Sequence, residues 1–169
     1  MINIRHGEKE DSSDIAILWN FYINKTLCTF NSVQKSPKDV EKILTETQKD
    51  RRAFLIAEDS SGLIGFSTYF QFRRDMGYQK TMEHSIFVSK SSIRRGIGKA
   101  LMRGVEENAS QRGVHSVFGC VSSENTKAIF FHEAMGFARV VKLQQVRYKF
   151  NRFVDLLLFQ KFLTFQHKD

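Results

Sequence analysis

A chain of 169 residues, 41% hydrophobic and 26% charged, is long enough to bury most of its unfolded surface in one core, so neither a disulfide scaffold nor a structural metal is needed for stability. Its 26 Lys and Arg against 18 Asp and Glu leave a formal charge of +8, which points to an anionic partner without choosing between nucleic acid, anionic lipid and a phosphorylated cofactor. The single proline, Pro37, excludes a Pro-rich linker, and Cys28 and Cys120 form no CxxC, which fits a reducing cytoplasm.

Met1 to Asp14 mixes charges and has no apolar h-region, so no signal peptide is expected, and no stretch approaches the 18 apolar residues of a membrane span. The sequons at Asn24 and Asn108 then read as chance matches. Asn3 to His6 reads as a first strand. Ser12 or Ser13 caps a helix from Asp14 to about Lys25, with Ile15, Leu18 and Tyr22 on one face. A second helix starts at a Ser36 cap, with Pro37 at its first position, Asp39 in its first turn, and Val40, Leu44 and Thr47 facing the core.

From Ala53 the period becomes strand-like. Ala53 to Glu58 and Leu63 to Phe72 form an antiparallel hairpin around Ser60-Ser61-Gly62, and Asp75 to Tyr78 turns the chain into a strand from Thr81 to Val88. A polar, glycine-containing segment, Ser89 to Gly98, opens a helix to about Arg112, with Ile97, Leu101, Val105 and Ala109 on its apolar face. Ser116 to Val121 is a further strand, Glu124 to Met135 a fourth helix stopped by Gly136, and two β runs follow, Ala138 to Phe150 and Phe153 to Phe165. The order β-α-α-β-β-β-α-β-α-β-β is an α+β pattern with a mixed, mostly antiparallel sheet and helices on its faces.

The segment Val88 to Lys99 joins a strand to a helix start. Backbone N–H groups, glycines that admit close approach, and Arg94, Arg95, Lys99 and Arg103 suit a pyrophosphate, although a bare G-x-G is equally a glycine-eased turn with a solvated basic helix start. Ile93 and Ala100 exclude a P-loop, and Leu101 excludes the dinucleotide fingerprint. His132-Glu133-Ala134-Met135-Gly136 lacks the second histidine of H-E-x-x-H, so no metal is expected.

Strand, basic R-x-G-x-G loop and helix, then strand, Asn125 and a helix ending in Gly136-Phe137, together resemble the GNAT superfamily of acyl-CoA-dependent N-acetyltransferases. The phosphinothricin and L-amino-acid N-acetyltransferase branch is similar in more detail: Phe72-Arg73, Thr81-Met82-Glu83-His84-Ser85, Gly96-Ile97-Gly98, Ser122-Ser123-Glu124-Asn125, His132 to Phe137, and Lys149 to Asp155 match its motifs in order, across almost the whole chain. Ile93 and Arg94 depart from that pattern, as do Asn151 and Phe153. Arg94 lacks glycine's freedom at positive φ, so either the loop bends differently, with the guanidinium supplying phosphate contacts, or CoA binds less tightly.

The resemblance implies one GNAT domain over residues 1–169, with about seven strands and four helices. It also implies direct acetyl transfer from acetyl-CoA to the α-amine of a small amino acid or an analogue such as phosphinothricin or methionine sulfoximine. Glu83 is then the candidate base, with Ser85 on its face of the strand and His84 on the other. Backbone N–H groups in Ile86, Phe87 and Val88 polarise the carbonyl and pair with the pantetheine arm. Arg94, Arg95, Gly96, Ile97, Gly98 and Lys99 hold the pyrophosphate, with Asn125 and Ala134 also at the cofactor. Asn125 either orients CoA or water, or serves only as an N-cap. His132 is a proton donor to the leaving sulfur or a satisfied core histidine. Arg73, Arg74 and Asp75, with Glu83, His84 and Ser85, are the expected substrate contacts, the arginines for a carboxylate or phosphinate. Cys120 reads as packing.

Rival readings keep the fold but acetylate a polyamine, an aminoglycoside or a protein N-terminus, or bind CoA without catalysis. A nucleic-acid module would use the +8 charge but lacks a recognition motif. The resemblance also implies a homodimer, and without a recognition motif or an apolar span no nucleic-acid or membrane partner is expected.

Overall fold

The computed structural model describes residues 1–29 and 31–164. Seven strands form one sheet: β1 (Asn3–His6), β2 (Phe54–Asp59), β3 (Gly62–Gln71), β4 (Thr81–Val88), β5 (Ser116–Ser122), β6 (Ala138–Lys149) and β7 (Arg152–Phe162). Their spatial order is β1-β2-β3-β4-β5-β7-β6, antiparallel everywhere except between β4 and β5. Four helices flank it: α1 (Ser12–Lys25), α2 (Pro37–Lys49), α3 (Ile97–Gln111) and α4 (Thr126–Ala134). The expected last strand ends at Phe162, and Phe165 lies outside the described residues.

The local signals at α2 and α3 act as their chemistry dictates, whereas α1 starts at Ser12 behind Asp11 without a side-chain cap, because the Ser12 hydroxyl donates to the Lys9 carbonyl instead. Ser36 accepts from the Asp39 N–H while Asp39 accepts from the Ser36 N–H, a capping box around Pro37 that starts α2. Ile97, Leu101, Val105 and Ala109 are all buried along α3. In α1 the buried stripe is Ile15, Ala16, Trp19 and Ile23, one position off the expected Ile15, Leu18 and Tyr22. The Trp19 indole fills the space between Phe66 and Phe87, with ring centroids 5.1 and 5.9 Å away, and rotates Tyr22 to the edge.

The two sheet faces carry separate cores. Ile15, Trp19, Val40 and Leu44 of α1 and α2 pack on Phe54, Ile56, Phe66 and Phe87. The α3 stripe packs on Met82, Val117, Val121, Leu157 and Phe159 on the opposite face.

What positions the site is a parting of strands. β4 pairs with β3 along its whole length, from Gln71↔Met82 to Gly65↔Val88, but with β5 only from Thr81↔Ser116 to Glu83↔Phe118. Beyond Glu83 the strands diverge. Thr81 O accepts from Phe72 N–H at 3.0 Å and Ser89 N–H donates to Ile64 O at 2.8 Å, so odd-numbered residues of β4 bond to β3. The backbone groups of His84, Ile86 and Val88 therefore face the opening.

Candidate active site

The opening widens into a cleft of about 1170 Å³ walled by β4, β5, the start of α3, one side of α4 as far as His132 and the segment after α1. Side chains from the two sheet faces meet there. Glu83 and Ser85 point to the α1 and α2 face, as alternation predicts, whereas His84 points to the α3 and α4 face.

On the first face, Glu83 lies beside Cys120, whose thiol hydrogen-bonds to its carboxyl, and within electrostatic reach of Arg147 and Arg73. Burial raises the Glu83 pKa above its ordinary 4.5, only partly offset by the Cys120 hydrogen bond and then by the two arginines. Burial and the neighbouring Glu83 charge push the Cys120 thiol up as well, so it stays protonated and acts as the donor. Cys120, which reads from sequence as packing, is also a cleft wall and a partner of Glu83.

On the second face His84 and His132 are buried and stacked, with Nε2 3.0 Å from Nε2. His132 Nδ1 lies 2.6 Å from the Ala128 carbonyl oxygen, which has no proton to give, so Nδ1–H is the donor. Burial lowers both pKa values, that of His84 furthest, keeping the rings neutral. His132 Nε2 is then an acceptor for His84 Nε2–H, and His84 Nδ1 is a buried lone pair without a hydrogen-bond partner among the described residues. His84 is thus turned away from the Glu83 face. A Cβ at Gly119 would lie 2.5 Å from His132 Nε2 and 2.9 Å from His84 Nε2, so glycine on β5 makes room for the pair.

At the cleft's far end Arg94 adopts φ 69° and Gly96 φ 79°, wrapping the loop around the N-terminus of α3. Arg94, Gly96, Ile97, Gly98 and Lys99 line the cleft. Arg95 lies outside its walls: its guanidinium is 2.6 Å from Asp59 on β2 and fastens the loop instead. Ile86, Phe87 and Val88 line the cleft, and Val88 O accepts from the Tyr22 hydroxyl. Asn125 is the N-cap of α4, accepting from Ala128 N–H at 3.1 Å, and its Nδ2 is 3.1 Å from Cys28 Sγ. Ala134, at the opposite end of that nine-residue helix, is exposed and outside the cleft.

Arg73, Arg74 and Asp75 also lie outside the cleft walls, in the exposed turn after β3. The reason is local: the Arg73 guanidinium lies 4.3 Å from the Phe72 ring centroid and donates to the Phe72 carbonyl at 3.1 Å, while Gln71 holds the Asp75 carbonyl. The sequence reading missed Arg147, which lines the cleft, and Lys149, which is buried and donates from Nζ to Thr26 O and Thr29 O, both at 2.8 Å. Lys149 thereby holds the cleft-lining segment after α1 against β6. Among the described residues no group of His, Cys, Asp and Glu is placed to hold a metal ion, and no helix is long and apolar enough to cross a membrane.

This geometry has counterparts of known class. The family model for the acetyltransferase (GNAT) domain matches residues 4–158. An L-methionine sulfoximine/L-methionine sulfone acetyltransferase of Pseudomonas paraeruginosa is 26% identical over 94% of this chain and 92% of its own. The crystal structure of a ribosomal-protein-alanine N-acetyltransferase from Brucella melitensis is 29% identical, with TM-score 0.91 over 95% of this chain and 99% of that one. A GNAT superfamily phosphinothricin acetyltransferase from Sinorhizobium meliloti, solved in complex with AcCoA, shares the fold at TM-score 0.90 and 21% identity, covering 96% of this chain and 88% of its own. A sheet split after Glu83, a glycine-bearing helix start at the split and a match over nearly the whole chain lead to one conclusion: the chain belongs to the GNAT acetyltransferase family and is an N-acetyltransferase.

Proposed function

We propose that this enzyme moves acetyl from acetyl-CoA to the α-amine of a small amino acid or analogue, of the methionine sulfone, methionine sulfoximine or phosphinothricin type, by direct attack with Glu83 as general base. The observation that carries the reading is the position of Glu83: a half-buried carboxyl with a raised pKa at the last paired residue of the β4–β5 seam, where the strands begin to part. The relatives named for L-methionine sulfoximine and sulfone and for phosphinothricin support the substrate class.

An amino acid arrives mostly as an ammonium ion, and only the neutral amine attacks. A carboxylate whose pKa is raised by burial accepts that proton more readily than a solvated one, and the cleft admits the amine on the Glu83 face. Acetyl-CoA supplies an activated acyl group on a thiolate leaving group. The residues fit it: backbone N–H groups of Ile86 and Val88 aim into the opening, where an extended arm can pair as an added strand and a carbonyl can be polarised. Arg94, Lys99 and the N–H groups around Gly96 and Gly98 suit the pyrophosphate, while Arg95 anchors their loop. Asn125 shapes the start of α4 as its cap. A thiol of pKa about 8.5 departs readily, and both His132 nitrogens are engaged, so we read His132 as a positioning group.

We further read the protein as cytoplasmic, where its two free cysteines suit a reducing compartment. We read it also as a homodimer, for which the exposed Val141 and Leu143 beside half-buried Leu156 and Leu158 on the outer strands offer an apolar strip.

The test is thiol release from acetyl-CoA against a panel of L-amino acids, methionine sulfone and phosphinothricin, with spermidine, an aminoglycoside and a free-N-terminus peptide alongside. Turnover with amino acids supports the reading. Turnover restricted to the other amines replaces the substrate class, and calorimetric CoA binding without any turnover replaces catalysis by sensing.

A further inference from the structure

An enzyme that selects amino acids must read the carboxylate as well as the amine, and the exposed Arg73–Asp75 turn lies outside the cleft. The structure supplies a different cation. From Leu143↔Leu156 to Arg147↔Val154, β6 advances four residues while β7 advances two, so β6 carries a bulge with two extra residues. Asp155 pins it: Oδ1 accepts from the Gln145 N–H at 2.9 Å, with Gln145 at φ 51°, and Oδ2 lies 3.0 Å from Lys142 Nζ. Residues 138–146 of β6 are exposed, but Arg147, the first residue after the bulge, is half-buried and reaches the cleft.

Its setting is that of an anion receptor. Arg147 shares the cleft with Glu83 and Cys120 and acts electrostatically on both, so a fixed cation stands on the same wall as the base. Burial lowers its pKa to about 10, opposed by the negative charge of Glu83, so its guanidinium has given up hydration that an incoming oxyanion can replace. An α-amino acid carries its amine and carboxylate on one carbon, and the pairing of Glu83 with Arg147 matches that charge pattern. Arg73 also acts on Glu83 but lies in the exposed turn outside the cleft walls, against the Phe72 ring and carbonyl, and Lys149 holds the carbonyls of Thr26 and Thr29; a guanidinium fork suits two carboxylate oxygens better than an ammonium.

We propose that Arg147 is the receptor for the substrate's α-carboxylate and thereby sets the preference for amino acids over amines that lack one; this assignment rests on the amino-acid reading given above. The test compares L-methionine sulfone with 3-(methylsulfonyl)propylamine, the same molecule without its carboxyl, in the wild type, Arg147→Met and Arg147→Lys. It also measures binding of 4-(methylsulfonyl)butanoate, the same molecule without its amine, by calorimetry. Arg147→Met is expected to lower kcat/KM for the amino acid roughly 10- to 100-fold, the worth of a charge-assisted hydrogen bond, with less than threefold change for the amine and an unchanged KM for acetyl-CoA. Arg147→Lys recovers part of the loss, and the butanoate binds the wild type more tightly than Arg147→Met. Equal losses on the amino acid and the amine would show that Arg147 only positions Glu83 and would overturn the proposal. If neither amine turns over in the wild type, the amino-acid reading fails on its own, and the butanoate still decides: equal affinity for wild type and Arg147→Met overturns the carboxylate assignment.

Discussion

His84 and His132 meet Nε2 to Nε2 at 3.0 Å on the α3 and α4 side of the sheet, two neutral rings sharing one proton where Gly119 leaves them room. Burial lowers both pKa values below 6.5, and a proton taken up by His132 would lower that of His84 further. The unfolded chain therefore takes up protons near pH 6.5 that the folded chain refuses. The stability this contributes is fully present above pH 6.5 and is lost as pH falls toward the folded values. Urea unfolding between pH 7.5 and 5.5 should show stability falling by up to about 1.4 kcal/mol per pH unit for each histidine. Replacing His132 with Gln should flatten that slope, and an unchanged slope would remove the pair as its source.

Glu83→Gln keeps the shape of the half-buried side chain and removes the base. We expect kcat to fall by roughly 10²- to 10⁴-fold, with KM for acetyl-CoA little changed. Since burial raises the Glu83 pKa above 4.5, the acid limb of the wild-type pH profile should lie above that value and be absent from the variant. A variant retaining full kcat would transfer the role of base to water or to another group.

Arg94 spends strain for charge. A non-glycine residue at φ 69° costs about 1–2 kcal/mol, and glycine returns part of the gain through its greater freedom in the unfolded chain. Arg94→Gly should therefore raise stability by up to about 1 kcal/mol while raising KM for acetyl-CoA several-fold, as a phosphate-facing cation disappears. Thermal melts and initial rates separate the two effects. A lower Tm with an unchanged KM would contradict both.

Lys149→Met removes a buried ammonium that holds two carbonyls of the Thr26–Thr29 segment. Leaving those carbonyls without their donor costs roughly 1–3 kcal/mol, and Thr26, Cys28 and Thr29 line the cleft. KM for the amine should rise while KM for acetyl-CoA stays within twofold. Parallel changes in both would mean that the clamp supports the whole cleft rather than its acceptor end.

Much of this was legible in order along the chain because the signals are local. Ser36, Pro37 and Asp39 cap α2 within one turn, the stripe from Ile97 to Ala109 repeats every four residues, and two-residue alternation separates Glu83 from His84 without knowledge of the partners. What sequence reading missed depends on distant contacts. Nothing at Leu143–Arg147 announces a bulge, since Gln145 takes positive φ where glycine would have signalled it. The bulge exists because Asp155, ten residues on, accepts from the Gln145 N–H. Lys149 meets its carbonyls across 120 and 123 residues. Arg73 was placed by motif, and only the adjacent Phe72 ring shows why its guanidinium lies outside the cleft.

The short β4–β5 seam has a mechanical meaning. Among the described residues β4 pairs with β5 only at Thr81, Met82 and Glu83, so the sheet is two half-sheets, β1–β4 and β5–β7, meeting at a notch, and the notch is where the donor is proposed to lie. An acyl carrier seated there would supply the missing rungs between the halves, so that loading the enzyme would also finish its sheet. Departure of the product CoA would then loosen the architecture that aligned the reaction, coupling the rigidity of the catalyst to the stage of its cycle.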